Sequence, residues 1–272
     1  MPPTFLALVH FDGSRFVGWQ RQREGRSIQA EFERVLERLA GQPVAAHAAG
    51  RTDAGVHALG LGVSFSLPPA WEPGALRRAL NALLSPDVWI ESITPMRAGF
   101  HARKSAHTRR YRYDVGTDDA SASPFRRPYE WALGRSLDPT DLEAAAAVVR
   151  GEHDFQPFSV RGQEKPHWRC RITESTWTAR AEGRGVSYHV EADRFLHHMV
   201  RMLVGTMVDI GLGRRPVADM SALLDRGDNL ETSAPAPPEG LYFVSATYPT
   251  NCYLEADALP SSLEQPVTVP PA

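Results

Sequence analysis

The chain has few of the features that fix a protein's class at a glance. It has only two cysteines, Cys170 and Cys252, far apart and without a metal-ligand neighbour. That excludes a disulfide framework, argues against a zinc site and fits a reducing cytoplasm. No apolar run approaches the roughly 20 residues that span a bilayer. The opening Met-Pro-Pro-Thr has no basic stretch leading into an apolar one, so no secretory signal and no membrane partner are expected. Charge of one sign is also missing overall: 30 cations against 32 acids leave a net charge of −2, which excludes a general polyanion binder on charge alone. Adjacent histidines, His197-His198, invite a metal, but neighbours on a helix point about 100° apart. With no third ligand at suitable spacing, no metal is expected.

The charge that is present is unevenly distributed. Residues 1–115 hold 15 basic and 10 acidic side chains, residues 116–272 hold 15 and 22, and 28 of the 30 cations are arginine. Arginine presents a planar fork that suits phosphate and stacks on bases. The densest stretch runs from Arg97 to Tyr113, with Arg97, Arg103, Lys104, Arg109, Arg110 and Arg112, no acid, and Phe100, Tyr111 and Tyr113 interleaved. Cations among aromatic rings are the footprint of splayed or single-stranded RNA. Strand alternation sets Arg109, Tyr111 and Tyr113 on one face and Arg110 and Arg112 on the other. One face then looks into a cleft while the other meets the RNA backbone. Tyr111 is placed to stack on a base, and Tyr113 is assigned to the core. Trp131, Trp168 and Trp177 read as packing residues.

One loop organises the reading: Ala49-Gly50-Arg51-Thr52-Asp53-Ala54-Gly55-Val56-His57-Ala58. A lone carboxylate, Asp53, lies between two glycines, which permit positive φ or close backbone approach. Arg51 stands two residues before it and favours its charged form. A polar surface turn has the same composition, so the loop alone leaves the choice open.

Around that loop the pattern is α+β. Residues 4–11 read as a buried strand, and Ser27 caps a helix that Gly41 stops. Strands follow at 43–48 and 59–66, then a helix from Pro73 and a strand at 88–93. The order β-α-β-β-α-β is ferredoxin-like. The second half repeats it: a strand at 108–115, a helix from Asp138-Pro139 to Arg150, a hairpin of 171–179 and 186–192, helices over 196–210 and 217–224, and a last strand at 241–247. Two such halves are expected to join into a mixed, mainly antiparallel sheet flanked by helices, with the active-site cleft between them. The expected divisions are 1–105 carrying the loop, 106–249, and a Pro- and Ser-rich tail over 250–272 without fixed structure.

The run GRTDAGVHA resembles the signature of the A-type tRNA pseudouridine synthases. Further stretches agree in order: Phe11-Asp12-Gly13 with Gly18-Trp19-Gln20-Arg21-Gln22, Phe100-His101-Ala102-Arg103, Arg109-Arg110-Tyr111-Arg112-Tyr113, Phe195-Leu196-His197-His198-Met199-Val200-Arg201, and Gly240-Leu241-Tyr242. The resemblance covers about residues 4–249. It implies a cofactor-free isomerase that converts uridines 38–40 of the tRNA anticodon stem-loop to pseudouridine. It further implies catalysis by Asp53, contact of Tyr111 with the substrate, pairing of Arg201 with the acid, displacement of the target base by Arg51, and a homodimer bridged by one tRNA. Arg109, on the Tyr111 face, joins the expected substrate-binding set. The chain departs from the family at Gly60-Leu61-Gly62-Val63, where Gly-Gln-Val is usual, which puts a local pocket hydrogen bond in doubt. Two rival readings stand beside it. One is a non-catalytic RNA-binding protein with two ferredoxin-like modules, although the aromatic RNP1 pattern is absent. The other is a hydrolase with Asp53 as nucleophile and His57 as the base.

Overall fold

The structure is a computed structural model that describes residues 2–67, 71–160, 167–228 and 230–254. In chain order its elements are β1 (Thr4–Phe11), α1 (Ile28–Ala40), β2 (His47–Ala48), β3 (His57–Ser66), α2 (Pro73–Leu83), β4 (Val88–Met96), β5 (Thr108–Gly116), β6 (Trp131–Ala132), α3 (Pro139–Val148), β7 (Gly151–Asp154), β8 (Arg169–Ala179), β9 (Gly185–Ala192), α4 (Met199–Gly211), α5 (Asp219–Leu224) and β10 (Leu241–Thr247). The class is α+β, and the β-α-β-β-α-β order of the first half is as the sequence implies. The chain forms two compact units: one runs to Arg109 and resumes at Tyr242, the other is Arg110–Leu241. The last strand thus packs with the first unit, although in sequence it closes the second half.

In the first unit the strand order is β4-β1-β3-β10. β1 is antiparallel to both β3 and β4. One edge of β3 is taken by β1. The other edge pairs with β10 in parallel at His57 and Ala58, and with β2 antiparallel at Val63 and Ser64. The loop joining β2 to β3 is therefore held at both ends along one strand edge. Phe5, Phe32 and Phe65 meet ring to ring in the core, and Ile28, Val35 and Leu36 bury the inner face of α1. Ser27 caps α1 through the Ala30 amide, and Gly41 ends it at φ 70°, a left-handed conformation that costs glycine little.

Strand β2 is shorter than the expected 43–48. Glu33 of α1 accepts the Ala46 amide at 3.0 Å, and the Gln29 amide donates to the Ala46 carbonyl at 3.3 Å. Side chains of the helix thus take the backbone groups that a longer ladder would use.

In the second unit the order is β5-β9-β8-β7, with β6 on β5. The short strands β6 and β7 have too few residues to show a period. The hairpin of β8 and β9 forms as expected, with Trp177 opposite Tyr188. Trp177 lies against Tyr188, and Trp131 meets the fully buried Tyr113 edge to face. Burial raises the pKa of Tyr113 well above that of a free phenol. Helix α4 starts at Met199, later than expected, because His198 takes φ 63° and breaks the run. Of the expected tail, residues 250–254 are ordered: Thr250–Cys252 form a 3-10 turn, Tyr253 is buried, and Arg97 Nε donates to its carbonyl at 2.9 Å. The remainder of that stretch lies outside the described residues.

Asp138 caps α3, accepting the amides of Thr140 at 2.8 Å and Asp141 at 3.1 Å ahead of Pro139. Asp138→Ala is expected to cost about 1 kcal/mol. It should appear in urea unfolding as a lower midpoint with an unchanged slope.

Candidate active site

The Asp53 loop is built by contacts from the segment after β1. The Trp19 amide donates to the Thr52 carbonyl at 3.1 Å, and the Gly55 amide donates to the Phe16 carbonyl at 3.3 Å. Within the loop the Val56 amide returns to the Asp53 carbonyl at 3.2 Å, closing a turn with Gly55 at φ 79°. Gly18, at φ 103°, lies against this turn: a Cβ there would stand 2.6 Å from the Thr52 carbonyl oxygen and 3.1 Å from the Asp53 carbonyl carbon. A Cβ at Gly13 would meet the Val56 carbonyl oxygen at 2.0 Å. Backbone therefore packs on backbone at both places, and only glycine permits it. The motif Phe11-Asp12-Gly13 with Gly18-Trp19 is the cradle of the loop.

Asp53 itself is half-buried, and Arg51 is exposed beside it in sequence. His57 is nearly fully buried and stacks on Tyr242, with ring centres 4.9 Å apart and planes 23° apart. Its Nδ1 accepts the Gly13 amide at 3.1 Å. The same nitrogen lies 3.4 Å from Asp12 Oδ1. A histidine buried in this way anchors the start of β3.

Arg109 is bonded to the backbone of three residues. Its guanidinium donates to the carbonyls of Ala49 at 3.4 Å, Ala106 at 3.1 Å and Arg103 at 2.5 Å. It braces the first residue of the acid loop against the turn that precedes β5. Leu61, at the position of the expected glutamine, is fully buried in β3 opposite Val9. The departure from the family is thus accommodated in the core. A Cβ at Gly62 would meet the Tyr248 hydroxyl at 2.4 Å, so this tyrosine fills the space above the strand.

In the second unit, Tyr111 is 8% exposed and meets Phe195 edge to face at 4.9 Å. Phe195 opens the motif that ends in Arg201, so the two motifs meet through these rings. Nothing in the residue pattern singles out Phe195; the edge-to-face contact with Tyr111 does. Arg201 is half-buried, and its Nε donates to the Ala236 carbonyl at 2.7 Å. The Ala236 amide returns to the Arg201 carbonyl at 2.9 Å. Gly205 allows this approach, since a Cβ there would meet the Ala234 carbonyl oxygen at 2.2 Å.

The opposite face of β5 differs from expectation. Arg110 pairs with Glu174 at 2.7 Å and Glu191 at 3.2 Å, and Arg112 pairs with Asp114 at 3.1 Å. Asp114 also accepts the Ser187 hydroxyl at 2.6 Å. Arg110 and Arg112 are committed to carboxylates on their own sheet, so this face does not offer a row of open cations to RNA.

The sequence model described as tRNA pseudouridine synthase matches residues 7–103 and 145–249. Proteins named tRNA pseudouridine synthase A are similar over most of their length. That of Shewanella amazonensis is 38% identical over 241 residues, covering 89% of this chain and 91% of that protein. That of Myxococcus xanthus is 37% identical over 246 residues, covering 90% and 92%. That of Leuconostoc mesenteroides is 34% identical over 254 residues, covering 90% and 99%. The chain belongs to the tRNA pseudouridine synthase family.

Gly18→Ala tests the cradle. The new methyl group must displace the Thr52–Asp53 backbone, and the substitution also strains a positive φ, which together cost roughly 1–3 kcal/mol. Thermal unfolding should show the loss of stability, and pseudouridine formation should fall at least tenfold as the acid shifts.

Proposed function

We propose that this protein isomerises uridine to pseudouridine in the anticodon stem-loop of tRNA, at positions 38–40, with Asp53 as the initiating group. The carrying observation is the loop itself: an aspartate between glycines, pinned by amides from the segment 13–19. The reaction breaks the N1–C1′ bond, turns the uracil and joins C5 to C1′. The proton at C5 leaves and N1 gains one, so no oxidant or group donor is consumed. Breaking the glycosidic bond builds positive charge on the sugar, which a fixed carboxylate stabilises or attacks. A preorganised acid needs little reorganisation at that moment.

Arg51, exposed on the same loop, takes the place of the displaced base in the RNA. Tyr111 stacks on the flipped uracil, and Phe195 holds its ring in orientation. Arg201 fixes the charge of the acid. Arg109 acts on the substrate only indirectly, through the carbonyl of Ala49. The protein works as a homodimer in the cytoplasm, with one tRNA across both subunits and without cofactor or metal. No helix among the described residues is long and apolar enough to cross a membrane, consistent with that location.

Asp53→Asn keeps the shape and removes the charge. Pseudouridine formation should fall by on the order of 10³ or more, while tRNA affinity stays within about threefold; retained turnover would reject the assignment. Tyr111→Ala removes a ring–base stack worth roughly 1–3 kcal/mol, so kcat/KM should drop about 5- to 150-fold. Tyr111→Phe should retain most of the stacking. Loss of pseudouridine at 38–40 in tRNA from cells lacking the protein checks the target positions.

A further inference from the structure

A second polar cluster lies in the first unit. His47 of β2 and His101 of the turn after β4 stack face to face, with ring centres 4.5 Å apart and planes 18° apart. Arg103 and Lys104 follow His101 and are exposed. Neither has a carboxylate partner among the described residues, and the two segments that build the cluster, 38–52 and 92–113, contain no acid. Some exposed arginines elsewhere are paired, as with Arg21 and Glu33, Arg150 and Glu143, or Arg214 and Asp209.

The cluster is held in place. Ser64, almost fully buried on β3, has a hydroxyl that accepts the Ala102 amide at 2.9 Å and donates to the His47 carbonyl at 3.5 Å. One side chain thus ties both histidine-bearing segments together. The His101 ring is also oriented. Its Nδ1 accepts the amides of Arg103 at 3.2 Å and Lys104 at 3.5 Å, which leaves Nε2 as the proton-bearing edge. Burial lowers the pKa of His101, and His47, Lys104 and Arg103 lower it further by charge repulsion. At neutral pH it is a neutral donor beside two cations. His47 and Ser64 also line a groove of about 790 Å³ whose other walls include Pro43, Val44, Phe65 and Phe100.

We infer that His47, His101, Arg103 and Lys104 form a phosphate-binding site for the RNA backbone, with the adjacent groove receiving the attached sugar. The inference rests on the proposed tRNA substrate. Arg109 joins the cluster to the start of the acid loop, since its guanidinium bonds both the Arg103 and the Ala49 carbonyl, but it uses the backbone of Arg103 and leaves that side chain out. Loss of the Arg103 and Lys104 side chains therefore weakens RNA binding without disturbing the backbone that holds the acid loop.

The double variant R103A/K104A, assayed with tRNA transcript at several salt concentrations, tests this. The Kd and KM should rise roughly tenfold, the slope of log K against log salt should become shallower by about one to two, and kcat should not change. His101→Ala removes a neutral donor, so affinity should fall a few-fold with the salt slope retained. A double variant that matches the wild type in affinity and slope, while the wild type binds and isomerises tRNA, overturns this site alone. A wild-type protein that binds tRNA but forms no pseudouridine overturns the functional reading and leaves the phosphate contact to be judged by the same slopes. A wild type that binds no tRNA overturns both.

Discussion

The geometry of the acid depends on two glycines pressed against peptide backbone. Gly18 and Gly13 let the segment after β1 lie directly on the loop from Thr52 to Val56. The amides of Trp19 and Gly55 then close hydrogen bonds that no side chain supplies. Backbone contacts of this kind are stiff, because neither partner has a rotamer to change. The loop is fixed further where it meets regular structure: Ala49 bonds to Gly62 across the β3 edge, and His57 holds Gly13 through a ring wedged on Tyr242. The carboxylate is thereby positioned by the strands rather than by the loop's own residues.

Arginine serves three distinct purposes in this chain. Some, such as Arg110, Arg112 and Arg126, face carboxylates, and Arg126 holds Asp118 through two parallel bonds that pull the carboxyl pKa below its usual range. Others cap carbonyls: Arg109 does so at three backbone oxygens and Arg150 at Ser175. A third group, Arg51 and Arg103, stands exposed without a carboxylate partner among the described residues. The guanidinium fork suits all three uses because its donors lie in a plane and its charge does not titrate. Counting arginines in the sequence therefore overstates what is available to a nucleic acid.

Much of this was legible in the residues. Apolar periodicity and caps located α1 and α3, where Ser27, Gly41 and Asp138 serve as their chemistry implies. The order of the motifs pointed to the family and to the acid. Residue pattern could not show that Glu33 and Gln29 would take the backbone of Ala46 and shorten β2. Nor could it show that His198 would adopt a left-handed backbone and delay α4. Strand alternation correctly separated Arg110 and Arg112 from Tyr111. It could not foresee acids on neighbouring strands, since Glu174 and Glu191 lie more than sixty residues away in sequence. Arg109 was legible as a cation near the site, but its use on carbonyls depends on a tertiary turn.

The route of the chain has a further consequence during synthesis. The first compact unit is completed by β10, which leaves the ribosome only after the whole of Arg110–Leu241. The second unit is contiguous and can close as soon as it emerges, whereas the first must wait with the upper edge of β3 unfilled. The first unit is therefore complete only after the later half of the chain has been made. An early stop codon anywhere before Tyr242 would leave His57 without the ring it stacks on, and so would undermine the Asp53 loop from the far end of the gene.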